Sequence, residues 1–274
     1  MKLALIAPTR LLDGYGSQSE GVHLALVHVA LQDPEYADWF KRRSMAGDTV
    51  ILDNGAYEHG SPSPIEEILK AAELVRATTV VAPDFPGERW TKTVDALVDF
   101  VDKLPPRYYV FGVPQSEVGD YVGWGNSLQI MSQLSRSLRI SHIGVSILAC
   151  PNAFRRITNT PDVEVNRLVA TGYMRHLEEQ GLLRRRAKLH YLGLGHRVDF
   201  VRHYDIADSL DTASPIRHGL VCRTYQDGYL PGGKTPGHLD FAMQGYTTEA
   251  QRLAMQFNID VLKAHARAAE GTEK

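Results

Sequence analysis

Short apolar runs rich in Val, Ile and Leu alternate along the chain with amphipathic stretches, and the two patterns predict different elements. Residues 3–7 read as a first strand, followed by a polar loop that holds Gly14 and Gly16. Residues 22–31 read as a helix and residues 49–52 as the next strand. Apolar side chains at 65, 68, 69, 72 and 75 recur at helical spacing, which predicts a helix over 64–76. Ser63 is its expected N-cap, Pro64 suits the first turn, and Glu66 and Glu67 suit the positive end of the dipole. Further strands are expected at 79–83, 108–113, 140–148, 188–194 and 206–210. Helices are expected at 90–104, 125–137, 198–203 and 248–268, with a basic helical region extending to 186. An eighth short strand is expected at 219–223.

Seven or eight strands alternating with helices imply an α/β fold with a parallel sheet. That count, with a length of 274 residues, favours a closed (β/α)8 barrel of TIM type over a doubly wound sheet. The missing phosphate loops agree: no G-x-G-x-x-G follows the first run, and no G-x-x-x-x-G-K-[ST] occurs. Neither an internal repeat nor a low-complexity linker divides the chain, so residues 1–274 are read as one catalytic barrel domain ending in a frayed tail.

Composition narrows the class. Hydrophobic residues make up 43% and charged residues 23%, as in a soluble globular protein. No apolar stretch approaches the roughly 18–20 residues of a bilayer span, so no membrane partner is expected. The apolar start is too brief for a signal peptide and runs into Arg10 and Asp13, which implies a cytoplasmic location. Cys150 and Cys222 are the only cysteines, too few for a disulfide framework or a Cys-rich zinc site. A formal charge of −2 argues against a coat on nucleic acid, yet it leaves room for a local basic patch.

Two acidic motifs carry the candidate chemistry. Ile51-Leu52-Asp53-Asn54-Gly55-Ala56-Tyr57 and Ser209-Leu210-Asp211-Thr212-Ala213-Ser214-Pro215 each set one carboxylate where an apolar run gives way to turn-prone residues. In a repeating β/α chain that is the mouth of the barrel, where active sites are built. If folding brings Asp53 and Asp211 together, the pair can divide glycosidic bond cleavage between a nucleophile and an acid/base. The remaining strand ends add Asp84, Gln115, Gly144 and Gly193 to the same rim. Singly, each has a plainer reading, because Asp often caps a turn, Gln115 suits a surface loop, and Gly193 and Gly195 suit tight turns. His190 and His196 lack a third ligand, so neither a metal nor a cofactor is expected.

In order along the chain stand Leu52-Asp53-Asn54-Gly55-Ala56-Tyr57, Ala82-Pro83-Asp84, Phe111-Gly112-Val113-Pro114-Gln115, Tyr191-Leu192-Gly193-Leu194-Gly195 and Leu210-Asp211-Thr212-Ala213-Ser214-Pro215. In this order and spacing the chain resembles the tRNA-guanine transglycosylase superfamily, whose members exchange guanine for a 7-deazaguanine on a (β/α)8 barrel. The resemblance implies that Asp211 is the nucleophile at the ribosyl C1′ and Asp53 the general acid/base. It implies base recognition by Asp84, Gln115 and Asn54, helped by backbone at Gly144 and Gly193. The tRNA enzymes carry a zinc site of clustered cysteines and a histidine, which this chain lacks. The compact, zinc-free form resembles the phage-type 7-deazaguanine DNA transglycosylases, which would place the protein in the host cytoplasm.

The expected partners are therefore DNA, or alternatively tRNA, with a 7-deazaguanine such as preQ0 as co-substrate. A base-releasing N-glycosidase on the same carboxylates is a second enzyme reading, and a catalytically dead binding barrel a third. Phosphate contacts need positive charge. The candidates are Arg184, Arg185 and Arg186 with Lys188, then Arg155-Arg156, and a rim of Arg217, His218, Arg223 and Lys234. Residues 225–234 hold two aromatics and three glycines and suit contact with a strand beside an extruded base. An apolar edge near the first helix leaves room for a homodimer.

Overall fold

The computed structural model describes residues 1–135, 137–184, 186–195, 197–225, 239–243 and 245–270. Eight parallel strands form a nearly closed (β/α)8 barrel of TIM type. They are β1 (Lys2–Leu5), β2 (Val22–Ala25), β3 (Thr49–Leu52), β4 (Thr79–Val81), β5 (Tyr109–Gly112), β6 (Ile140–Ser146), β7 (Lys188–Leu192) and β8 (Ser209–Thr212). The first helices are α1 (Val27–Gln32), α2 (Pro34–Met45), α3 (Ala56–His59), α4 (Ile65–Leu74) and α5 (Trp90–Lys103). Then come α6 (Tyr121–Leu134), α7 (Ala149–Thr158), α8 (Val163–Glu179), α9 (Ser214–Gly219) and α10 (Glu249–Glu270). No helix among the described residues is long and apolar enough to cross a membrane.

The hydrogen-bonded order runs β1-β8-β7-β6-β5-β4-β3-β2, which leaves a seam between β1 and β2. Side chains and one backbone bond fill it. Leu5 N donates to Ser19 Oγ (2.9 Å) and Leu3 N to Glu20 Oε2 (3.0 Å), while Glu20 N donates back to Leu3 O (2.9 Å). The edge amides of β1 are thus satisfied without a ladder, as buried backbone donors must be.

Two expected elements change. The helix expected at 22–31 is β2 followed by the short α1, because all four residues of Val22–Ala25 are buried. A parallel strand covered on both faces shows no alternation, and periodicity alone cannot tell it from a buried helix. The strand expected at 219–223 is absent: α9 occupies Ser214–Gly219, and a turn follows it. The barrel reaches eight strands through β2 instead.

Elsewhere local chemistry sets the elements. Asp33 caps α2, accepting from Glu35 N and Tyr36 N, with Pro34 in the first turn. Asp162 caps α8 in the same way through Glu164 N and Val165 N. α4 starts at Ile65 with Pro64 at the capping position and no side-chain cap; Ser63 N instead donates to Asn54 O (2.8 Å). Ile68, Ala71 and Ala72 of α4, and Val94, Leu97, Phe100 and Val101 of α5, form the buried stripes that clothe the barrel. Val27, Val29 and Ala30 of α1 are buried in this same core.

Candidate active site

All strands are parallel, so their C-terminal ends open on one face, and a cavity of about 600 Å³ lies there. Asp53, Asp84, Gln115, Asp211 and Arg217 all line it. The fold therefore gathers acids that stand up to 158 positions apart (211 − 53) in the chain. Asp53 follows β3, where its N donates to Ala25 O (2.8 Å) and its Oδ2 accepts from Gly55 N (3.1 Å). Gly55 adopts φ +79°, and a Cβ there would meet Ser63 Oγ at 2.9 Å, so the turn that aims Asp53 requires glycine.

Asn54, Asp84 and Gln115, at the ends of β3, β4 and β5, form a buried polar triad. Asn54 Nδ2 donates to Asp84 Oδ1 (2.6 Å) and to Ala82 O (2.7 Å), and Gln115 Nε2 donates to Asp84 Oδ2 (2.5 Å). Gln115 Oε1 is buried with no hydrogen-bond partner among the described residues. An unpaired buried acceptor is costly, and one that belongs to a cavity residue suits a donor brought by a ligand. Burial pushes the Asp84 carboxyl up to about 6, while the Asn54 and Gln115 donors hold it down from going further.

Asp211 is the penultimate residue of β8, with 4% of its surface exposed. Its Oδ1 accepts from Gly193 N (3.1 Å) and lies 3.0 Å from His190 Nε2. Among the described residues no donor holds Oδ2. Gly193 adopts φ +74°, and its carbonyl accepts from the buried Arg167 (2.7 Å), which also holds Leu192 O (3.1 Å). Arg167 in turn pairs with Glu164 (3.1 Å), whose Oε1 accepts from Gly195 N (2.5 Å). A buried ion pair on α8 thereby clamps the loop whose amide touches Asp211.

Asp53 behaves differently. Burial, then the neighbouring Glu58 charge, raise its carboxyl to about 8; the Asp84 and Asp211 charges add to this, and the Gly55 amide opposes it. Asp53 is thus protonated at neutral pH while Asp211 is presented as an acceptor of two hydrogen bonds. The two carboxyl groups thus meet the same cavity in different surroundings.

The other expected contacts divide. Gly144 is a packing glycine of β6, where a Cβ would meet Phe111 at 2.5 Å and Leu192 at 2.7 Å; Ser146, Ile147 and Leu148 line the cavity instead. Arg217 reaches the cavity half-buried, and its Nε has no partner among the described residues. Arg184 and Arg186, with Lys188, are exposed but lie before β7, at the end of the barrel away from Asp211. Parallel strands separate the two ends, so these cations do not join the cavity. Arg185, Lys234 and His196 lie outside the described residues.

Arg156 packs over Gly119 in the loop after β5, which keeps it on the mouth side. His218 is buried with Nδ1 on Ser214 O (2.8 Å), and Arg223 O accepts from Asn258 (2.8 Å); both carbonyl contacts are structural. Of the loop expected at 225–234 only Tyr225 is described, and it is buried edge-on against His218 rather than offered to a strand.

Sequence reasoning missed His190 as a partner of Asp211, and His28, Leu239 and Phe241 as cavity wall. His28 Nδ1 is buried without a partner among the described residues, and its ring meets Phe241 edge-on at 6.3 Å. The usable signal for His190 was a polar residue inside the apolar run Leu189-His190-Tyr191. Leu239 and Phe241 stand in a glycine-rich, irregular segment with no periodic signal. In comparisons with known proteins, no family model matches the chain and no curated protein matches it.

Proposed function

We propose that the protein is a transglycosylase that exchanges guanine in DNA for a 7-deazaguanine such as preQ0. The observation that carries the reading is the pair of unlike carboxyl groups on one cavity: Asp211 with Oδ1 tethered and Oδ2 available, and Asp53 raised to about 8. Asp211 Oδ2 attacks C1′ of the target nucleotide while the C1′–N9 bond breaks, and Asp53 delivers its proton to the departing purine. N9 of the incoming base then attacks C1′, Asp53 takes the N9 proton, and Asp211 leaves. Two displacements retain the configuration at C1′.

The Asn54–Asp84–Gln115 triad supports recognition of a guanine-like edge. As a carboxylate, Asp84 accepts from ring and exocyclic N–H donors, and Gln115 Oε1 has room for another. Asp84→Asn would present an amide to two donors already aimed at it. The variant is expected to raise KM for the free base on the order of 10–100-fold, with a smaller effect on kcat. Steady-state exchange kinetics check this, and an unchanged KM removes Asp84 from base recognition.

DNA is preferred because Cys150 and Cys222, one buried and one exposed, do not make the cysteine cluster of the tRNA enzymes. Incubation with labelled preQ0 and separate DNA and tRNA pools tests the whole reading. Label in DNA is the expected result. Label in tRNA alone moves the substrate, and guanine release that ignores the acceptor makes the protein an N-glycosidase.

A further inference from the structure

We propose that His190 is a positioning residue for the Asp211 nucleophile, acting through its Nε2–H to fix the plane of the carboxylate and so aim the attacking oxygen. The proposal rests on the reading of Asp211 as nucleophile and adds what orients it. The register makes the contact: β7 and β8 pair His190 with Ser209. Ser209 and Asp211 are two apart on β8, so their side chains share a face. A ring on His190 therefore spans both. Its Nδ1 lies 2.7 Å from Ser209 Oγ and its Nε2 3.0 Å from Asp211 Oδ1.

The ring has little freedom. It is 0% exposed, and Phe111 packs against it edge-on with centroids 5.6 Å apart. A carboxylate only accepts, so the proton on Nε2 faces Asp211, and the bare Nδ1 accepts from the Ser209 hydroxyl. Asp211 thus sets the tautomer, Ser209 Oγ holds the other edge of the ring, and His190 with Gly193 N pins Oδ1 from two directions. Without them the carboxylate turns about its last torsion and neither oxygen stays on the line to C1′. In-line attack on C1′ tolerates little of that, since a misplacement of about 1 Å costs about 10²-fold in rate.

Three variants separate this role from packing. In His190→Gln the amide nitrogen reaches the position of Nε2, whereas in His190→Asn it reaches only that of Nδ1. His190→Asn is expected to lower kcat and the single-turnover rate of adduct formation about 10²-fold, with KM within about threefold of the parent. His190→Gln is expected to recover most of that loss, to within about tenfold of the parent. Ser209→Ala, which removes only the hydrogen bond that holds the far edge of the ring, is expected to cost about 3–10-fold in kcat and keeps the test open should His190→Asn fail to fold. Equal loss in the Gln and Asn variants overturns the proposal, as does an effect confined to KM or a parental adduct rate in His190→Asn. A parent protein that forms no adduct with guanine-containing DNA or tRNA instead sinks the transglycosylase reading itself.

Discussion

Asp211→Asn is expected to lower base exchange by about 10⁴-fold or more and to leave no covalent protein–nucleic acid adduct. The fold should survive. The amide oxygen of the substitute still accepts from Gly193 N and His190, so the loop clamped by Arg167 keeps its anchor. What faces the cavity is then an amide nitrogen, which has no charge to place on an oxocarbenium-like C1′. Denaturing electrophoresis or intact mass after incubation with guanine-containing DNA reads the adduct, and thermal melting reads the fold. An adduct formed at the parental rate by a folded variant removes Asp211 as nucleophile.

Asp53→Asn is expected to lower kcat by about 10²–10⁴-fold while still permitting slow adduct formation, because only proton delivery is lost. The pH dependence follows from the two raised carboxyl groups. Asp53, held up to about 8, donates only while protonated, so the single-turnover rate of adduct formation falls as pH rises through about 8. Asp84, pushed up to about 6, accepts base donors only as a carboxylate, so KM for the base rises as pH drops below about 6. Activity is therefore greatest between these limits. Asp53→Asn should abolish the alkaline limb and keep the acid one; survival of the alkaline limb would assign the acid elsewhere.

The same group carries a stability consequence. An unfolded Asp titrates near about 4, and Asp53 in the folded chain near about 8. Between those values the folded state binds more protons than the unfolded one, so this residue lowers stability as pH rises through that window. Above about 8 the penalty is complete. Asp53→Asn removes it, and its melting temperature should exceed the parent's by a margin that grows from pH 5 to pH 9. Each kcal/mol is worth roughly 2–4 °C in a chain of this size.

Much of this site was legible before folding. Asp53, Asp84, Gln115 and Asp211 each follow an apolar run, and strand ends of a parallel barrel converge wherever the runs are correctly identified. β2 was not legible, since Val22-His23-Leu24-Ala25 is buried throughout and lacks the alternation that marks a half-exposed strand. The place of Arg184 and Arg186 was not legible for a related reason. A cluster of like charges is visible in a sequence, but which end of the barrel it occupies depends on the direction of the strand beside it.

By itself, the sequence determined the alternation of elements, and hence the barrel, together with the acids at its mouth. These follow from local periodicity and turn chemistry, which act over a few residues. The tertiary structure alone decided how the barrel closes, with Ser19 and Glu20 sealing β1 beside β2. It also decided that Arg217 and not the Arg184 cluster reaches the cavity, and that the acids differ. Asp53 and Asp211 look alike as residues. Asp53 stands beside Glu58 and Asp84, and Asp211 accepts from His190 and Gly193 across a strand register 18 to 21 positions distant. Desolvation and long-range hydrogen bonds belong to packing, and no stretch of sequence contains them.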